Sequence, residues 1–205
     1  MITISVKNLA RFFGVRKIFE NIEFDLKTGE SIAITGPNGS GKTTLLRTLL
    51  GLLVPSKGSV EYKNGDKPLE FNDYRKEISI VAPYLILYDT MTGTENLRFL
   101  TKIDGRNISD EEIELSLERV GLGGRGGDMV GEYSTGMKQR LKYALAILRK
   151  PTIWMFDEPT ANLDTDGKKI VINIINECKQ DGLVIIATNE QEEYALADRL
   201  CQLGN

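Results

Sequence analysis

Hydrophobic and polar residues alternate from the first positions of the chain. Ile2-Thr3-Ile4-Ser5-Val6 and Ile22-Glu23-Phe24-Asp25-Leu26 are apolar at every second residue. That spacing predicts two half-buried strands, the second closing on a Thr28-Gly29 turn, so residues 1–30 read as antiparallel β. The pattern then changes. Ser31-Ile32-Ala33-Ile34-Thr35 is an apolar run of the kind a strand buried on both faces needs. Leu45, Leu46, Leu49 and Leu50 share one helical face, which Gly51 ends. After a turn at Pro55-Ser56-Lys57-Gly58, Ser59-Val60-Glu61-Tyr62 alternates as an edge strand, and Ile78-Ser79-Ile80-Val81 is another strand.

From 94 to 120 the period is helical. Glu95 to Lys102 carries Leu97 and Leu100; Ser109 and Glu112 form a capping box ahead of Ile113, Leu117 and Val120. Gly121-Leu122-Gly123-Gly124-Arg125-Gly126-Gly127 is a hinge-like loop. A helix from about Met137 to Arg149 then carries Leu141, Leu145 and Leu148. Two more apolar strands follow, one ending at Asp157-Glu158 and one at Leu183-Val184-Ile185-Ile186-Ala187. Between them Ile170, Val171, Ile174, Ile175 and Cys178 mark an apolar helix face.

Composition narrows the class. The 205 residues are 41% hydrophobic and 27% charged, enough for one domain with room for a subdomain. A net charge of −3 lacks the basic field of a nucleic-acid binder, so no nucleic-acid partner is expected. The two cysteines form neither a disulfide framework nor a metal pattern. No signal-peptide order opens the chain, and its apolar runs fall short of the ~20 residues a span needs. An intracellular, soluble protein is expected, with any membrane role supplied by a partner. The chain contains no histidine.

One loop carries the clearest chemistry. Gly36-Pro37-Asn38-Gly39-Ser40-Gly41-Lys42-Thr43 fits G-x-x-x-x-G-K-[ST] at every fixed position, between a buried strand and an apolar-faced helix. Its glycines let successive N–H groups point at phosphate oxygens, backed by a helix N-terminus. Lys42 would reach the β- and γ-phosphates, and the Thr43 hydroxyl would ligate Mg²⁺. A strand next to the loop's own strand often ends in an acid that holds the metal, a role Asp157 fits. Glu158 sits where a carboxylate could orient a water and take its proton. In Arg11-Phe12-Phe13-Gly14-Val15 an aromatic before a glycine could stack on a base, although one core and one half-exposed phenylalanine explain that stretch equally well. Ala82-Pro83-Tyr84-Leu85-Ile86-Leu87-Tyr88 either packs within a helical subdomain or offers an apolar patch to a partner.

In sum these motifs resemble an ABC-transporter ATP-binding subunit, of the short export type similar to haem-exporter-like ATPases. Gly36 to Thr44 resembles the family's phosphate loop, Asp157-Glu158-Pro159-Thr160 its acidic strand end, and Ala161-Asn162-Leu163-Asp164 its D-loop. Tyr133-Ser134-Thr135-Gly136-Met137 resembles its signature, usually Leu-Ser-Gly-Gly-Gln, altered at the first, third and fifth positions. Phe13 lies at its base-stacking aromatic. The resemblance implies an α/β fold: a phosphate-loop NTPase with a mainly parallel core sheet, an N-terminal antiparallel β subdomain and a helical signature subdomain. The whole of 1–205 would be one ABC-type domain, 1–82 and 151–205 the nucleotide-binding core and 83–150 the helical part. ATP and Mg²⁺ would be held by Phe13, Gly36, Pro37, Asn38, Gly39, Ser40, Gly41, Lys42, Thr43, Thr44, Ser134, Gly136 and Asp164, with Thr43 and Asp157 on the metal. Lys42, Glu158 and Asn189 would be catalytic. Two subunits, identical or homologous, would close head to tail around two ATP molecules. Membrane-spanning transporter subunits would be the partners, holding the chain at the cytoplasmic face of the cell membrane.

The signature serine and its neighbours precede a helix whose first turn would carry Lys138 and Arg140 against the helix dipole. Two expected γ-phosphate sensors are missing. Pro83 stands where the family usually has a glutamine, and Asn189 follows Thr188 where it usually has a histidine. Asn189 can donate a hydrogen bond but cannot carry a charge. Losing one well-placed donor costs ~10²–10³ in rate, so slow hydrolysis is expected. The alternatives are a non-hydrolytic ATP clamp and a soluble ABC-type ATPase. The short interval between Lys42 and Ser134, the single unit and the acidic charge argue against the soluble class.

Overall fold

A computed structural model describes residues 1–204. The chain divides into two compact units. Among the described residues the first comprises 1–80, 152–159 and 175–204, the second 81–151 and 160–174.

The first unit opens with β1 (Ile2–Phe13) and β2 (Arg16–Lys27), an antiparallel hairpin turning at Gly14-Val15. Both strands run well beyond the alternating segments visible in the sequence, and the Arg11–Val15 stretch is strand and turn rather than a connection. The alternation fades because β1 bulges between Val6 and Leu9, with Asn8 at φ 47°. An extra residue switches the inward phase, so Ile2, Ile4 and Val6 are buried before the bulge and Leu9 after it. β4 (Lys57–Asn64) pairs with β1, and β5 (Lys67–Pro68) with β4, in the order β2-β1-β4-β5. The two-residue β5 pairs only with Lys63 and Asn64, so the expected edge strand at 59–62 keeps its outer side beyond strand pairing.

The second sheet of this unit carries the site. β3 (Ser31–Thr35) leads through the glycine loop to α1 (Lys42–Leu49), where Leu45, Leu46 and Leu49 are fully buried. After α2 (Phe71–Glu77) and β6 (Ile78–Val81), the sheet is completed by β7 (Ile153–Asp157), β8 (Leu183–Thr188) and β9 (Arg199–Gln202). Its order is β6-β7-β8-β3-β9, with β7, β8, β3 and β9 parallel. Every residue of β3, β7 and β8 is buried, as crossover-covered parallel strands require. The acid-bearing β7 is not the neighbour of the loop strand, contrary to expectation: β8 stands between them. β9 has no counterpart in the sequence reading. It flanks β3 on the other side, and Leu203 N–H donates to the Thr35 carbonyl at 2.7 Å.

The second unit is helical. It holds α3 (Gly93–Ile103), α4 (Asp110–Arg119), α5 (Thr135–Leu148) and the first ten residues of α6 (Thr165–Asp181). The Ser109–Glu112 capping box forms, and Thr92 with Glu95 makes a second on α3. Ile113, Leu117, Val120, Leu141, Leu145 and Leu148 are buried as their spacing predicts. α5 starts two residues earlier than Met137, because Ser134 caps it. In the 84–88 segment Leu87 is buried while Tyr84, Ile86 and Tyr88 are exposed, so it both packs and presents an apolar edge. The buried Asn96 side chain fixes that edge: it accepts from Tyr88 N–H at 2.8 Å and donates to the Tyr88 carbonyl at 2.9 Å. α7 (Gln191–Tyr194) is a single turn in the first unit. Among the described residues no helix is long and apolar enough to cross a membrane.

Candidate functional site

The loop after β3 owes its shape to close contacts. Gly36 (φ 147°) and Gly41 (φ 102°) occupy backbone that side-chain-bearing residues rarely adopt. A Cβ on Gly36 would lie 2.5 Å from the Leu203 carbonyl, and one on Gly41 2.5 Å from the Ile18 side chain. Gly41 is the N-cap of α1 and has no side chain to give it, so the first-turn N–H groups face the loop interior. The Ser40 hydroxyl is buried there without a hydrogen-bond partner. Lys42 is only 6% exposed, and its Nζ donates to the carbonyls of Gly36 at 2.7 Å and Pro37 at 3.1 Å. The helical ladder begins with Leu45 N–H donating to the Gly41 carbonyl at 2.8 Å, and the Thr44 carbonyl accepts from the Thr48 hydroxyl.

The two acids have distinct places. Thr43 Oγ1 donates to Asp157 Oδ2 at 2.7 Å, across 114 residues of sequence. Asp157 is 3% exposed, and burial raises its carboxyl above the ordinary range, offset in part by the Thr43 bond. Glu158 is half-buried in left-handed backbone (φ 49°), and its N–H donates to the Ala187 carbonyl at 2.8 Å. A non-glycine residue at that φ costs of order 1–3 kcal/mol and turns the Glu158 side chain from the line of β7.

Glu158, Lys42, Thr43 and Thr44 line one cavity of about 350 Å³ with Asn38, Gly39, Gly41, Phe13, Arg16 and Ile18. Phe13 is 48% exposed, and the Arg11 guanidinium lies 4.6 Å from its ring centroid, leaving one ring face for a flat partner. Phe12 is half-buried rather than core. Asn189 is not in this cavity. It lines an adjoining depression with Thr35, Gly36, Pro37, Tyr194, Leu200 and Gln202.

The remaining sequence candidates lie in the second unit. Ser134 Oγ accepts from Met137 N–H at 3.1 Å, and a Cβ on Gly136 would sit 3.2 Å from the Asn162 carbonyl. Asp164 Oδ1 accepts from Gly167 N–H at 2.8 Å, capping α6. Lys138 and Arg140 do not sit frustrated in the first turn. They lie four and six residues beyond the cap, Lys138 paired with Asp89 at 2.7 Å and Arg140 donating to the carbonyls of Val120 and Gly121.

A phosphate-bearing ligand with a hard divalent cation fits these residues. The Ser40 hydroxyl is an orphaned buried donor beside a glycine cradle, and Thr43 with Asp157 supplies the oxygen ligands that Mg²⁺ takes. Sequence reasoning missed the Leu203 support behind Gly36, the Arg16 wall and a buried lysine, Lys142 (7% exposed). Only Lys142 left a trace, as one charge inside the apolar run Leu141–Leu148.

Known proteins resemble this chain in sequence and in fold. Residues 19–161 match the ABC transporter family model. The chain is 32% identical to the cytochrome c biogenesis ATP-binding export protein CcmA of Vibrio parahaemolyticus, over 96% of each chain. It spans 64% to 65% of the length of three Bacillus subtilis relatives. Among solved structures, a Pyrococcus furiosus protein described as a candidate ABC transporter ATP-binding protein superposes with a TM-score of 0.84 at 26% identity, covering 98% of this chain and 97% of that one. Clostridium perfringens cbiO1, part of the ABC transporter complex cbiONQ, superposes with a TM-score of 0.78 at 25% identity, covering 98% and 84%.

Proposed function

We propose a function for this chain from the family it belongs to, the ABC transporter ATP-binding subunits: it binds ATP with Mg²⁺, closes around the nucleotide with an identical or homologous subunit, and hydrolyses it slowly to move membrane-spanning partner subunits. The family hydrolyses ATP, and its ATP-binding subunits work within transporter complexes. The likeness to CcmA over nearly the full length of both chains supports an export-type subunit, docked through its partners at the cytoplasmic face of the cell membrane.

The observation that carries the reading is the Thr43–Asp157 hydrogen bond. It sets a hydroxyl and a carboxylate together at the foot of an anion cradle. Asp157 and Thr43 would hold Mg²⁺, which when bound neutralises phosphate charge. Lys42 is already desolvated, so exchanging two loop carbonyls for phosphate oxygens adds little burial cost. Phe13 would stack on the base. Glu158, lining the same cavity, would take the proton of an attacking water. Ser134, Gly136 and Asp164 would complete the site of a second subunit. With Pro83 and Asn189 in the sensor positions, hydrolysis proceeds without two usual donors.

Steady-state turnover of the purified chain tests this reading. We expect slow native turnover, a further loss of ~10²–10⁴ in Glu158→Gln with MgATP binding retained, and a faster Asn189→His. Fast native turnover would overturn the slow-hydrolysis claim; equal rates for the native chain and Glu158→Gln would remove Glu158 as the base.

A further inference from the structure

The chain leaves the first unit after Ile80 and enters the second at Val81. Within three residues it makes a tight turn: Leu85 N–H donates to the Ala82 carbonyl at 3.1 Å, with Pro83 at the first corner. Proline stiffens this turn and brings no N–H of its own. Nor does Pro83 offer the side-chain donor and acceptor of the amide that usually stands there. The carbonyls on either side of the Ala82–Pro83 bond are nevertheless both engaged. Lys142 Nζ, from the third turn of α5, donates to Ala82 at 3.0 Å and to Pro83 at 2.9 Å. Lys142 is 7% exposed, and burial lowers its ammonium below the ordinary lysine range. An ammonium so placed is expensive to desolvate, and it is kept where a leucine would pack more cheaply. The same helix begins at the Ser134 cap, eight residues or about 12 Å earlier on a rigid rod.

We propose that Lys142 is a positioning residue that clamps the turn at Ala82-Pro83 to α5, so that the entry to the helical unit and the Ser134 end of that helix move as one body. The clamp supplies through the backbone a link that a residue-83 side chain cannot make here. Its part in turnover rests on the ATP-hydrolysing reading above, whereas the clamp itself does not.

Two measurements on the native chain, Lys142→Met and Lys142→Arg test it. The first is amide hydrogen exchange with no nucleotide present. In Lys142→Met, exchange at Leu85 is expected to rise at least tenfold, and to rise also at Met137, the N–H that Ser134 caps. Lys142→Arg keeps both protected. Unchanged protection in Lys142→Met would overturn the clamp. A rise at Leu85 alone would overturn the claim that turn and helix end move together. The second is the division between affinity and rate. MgATP affinity should stay within twofold in Lys142→Met while kcat falls about tenfold or more, and Lys142→Arg should recover most of that loss. Equal losses of affinity and rate, unrelieved by arginine, would reduce Lys142 to a packing residue. If the native chain bound no MgATP, the ATP reading would fall, and the exchange measurement would still decide the clamp. Should Lys142→Met not fold, Lys142→Gln, with one neutral donor, is expected to give intermediate exchange at both amides; native-like protection there would equally refute the clamp.

Discussion

The starts of α1 and α5 each carry a hydroxyl, and the two are built in opposite ways. At α1 the cap is Gly41, which has no side chain, and the nearby Thr43 hydroxyl is given to a carboxylate 114 residues away. The first-turn N–H groups are left for whatever enters the loop. At α5 the cap is Ser134, whose oxygen accepts from Met137 N–H, and the cation beyond it is paired with Asp89. The first start is an anion site held open by tertiary structure. The second is a closed local cap: its oxygen already accepts from Met137 N–H, and only its O–H is left to donate to a ligand. A family motif therefore does not tell which of its polar groups are already spent.

The comparison predicts unequal costs. Thr43→Val keeps shape and removes the bond to a buried carboxylate. Hydrogen bonds to charged groups contribute ~1.5–3 kcal/mol, and the buried Asp157 would lose its hydroxyl partner. We expect a stability loss of that size in urea unfolding and no added stabilisation from Mg²⁺ with ATP. A loss near zero would show the first start to be as self-contained as the second. Ser134→Ala removes only a helix cap, at about 1 kcal/mol. Nucleotide affinity at the loop should be unchanged, since the signature serine would serve the partner subunit's nucleotide. A drop in monomer affinity for ATP, read with a fluorescent analogue, would erase the distinction between the two starts.

How far these features could be read in advance follows the same divide. The phosphate loop was legible because its glycines and Lys42 are contiguous, and their geometry follows from backbone that admits little else. Asp157 was legible as the end of an apolar run, but its reach to Thr43 was not. Strand order decides that reach, and β8 intervenes where adjacency was expected. Lys138 and Arg140 looked frustrated because their partners, Asp89 and the 120–121 carbonyls, come from loops whose path no periodicity encodes. β9 was invisible for a related reason: Arg199-Leu200-Cys201-Gln202 is short, largely exposed and barely alternates, and it is a strand because β3 offers it an edge.

That added strand suggests the smallest test. Asp198, just before β9, accepts from Ser31 N–H at 3.0 Å and from Ser31 Oγ at 2.6 Å, at the start of the loop-bearing β3, and pairs with Lys179. The Ser31 hydroxyl bond, foremost, holds its carboxyl below the usual range. A carboxyl whose pKa is lower in the folded chain contributes stability that is complete above its unfolded value, about 3.9, and lost as pH falls through the folded one. Asp198→Asn keeps an acceptor for Ser31 but not the charge. Asp198 is half-exposed, so solvent screening limits the deficit to a few tenths of a kcal/mol, about 1 at most. Unfolding measured from pH 7 downward should show native and variant stabilities converging below about pH 4. A gap that persisted into acid would mean that the tether between β3 and β9 depends on shape and hydrogen bonding alone. The support behind the glycine loop would then be as insensitive to charge as the Ser134 cap.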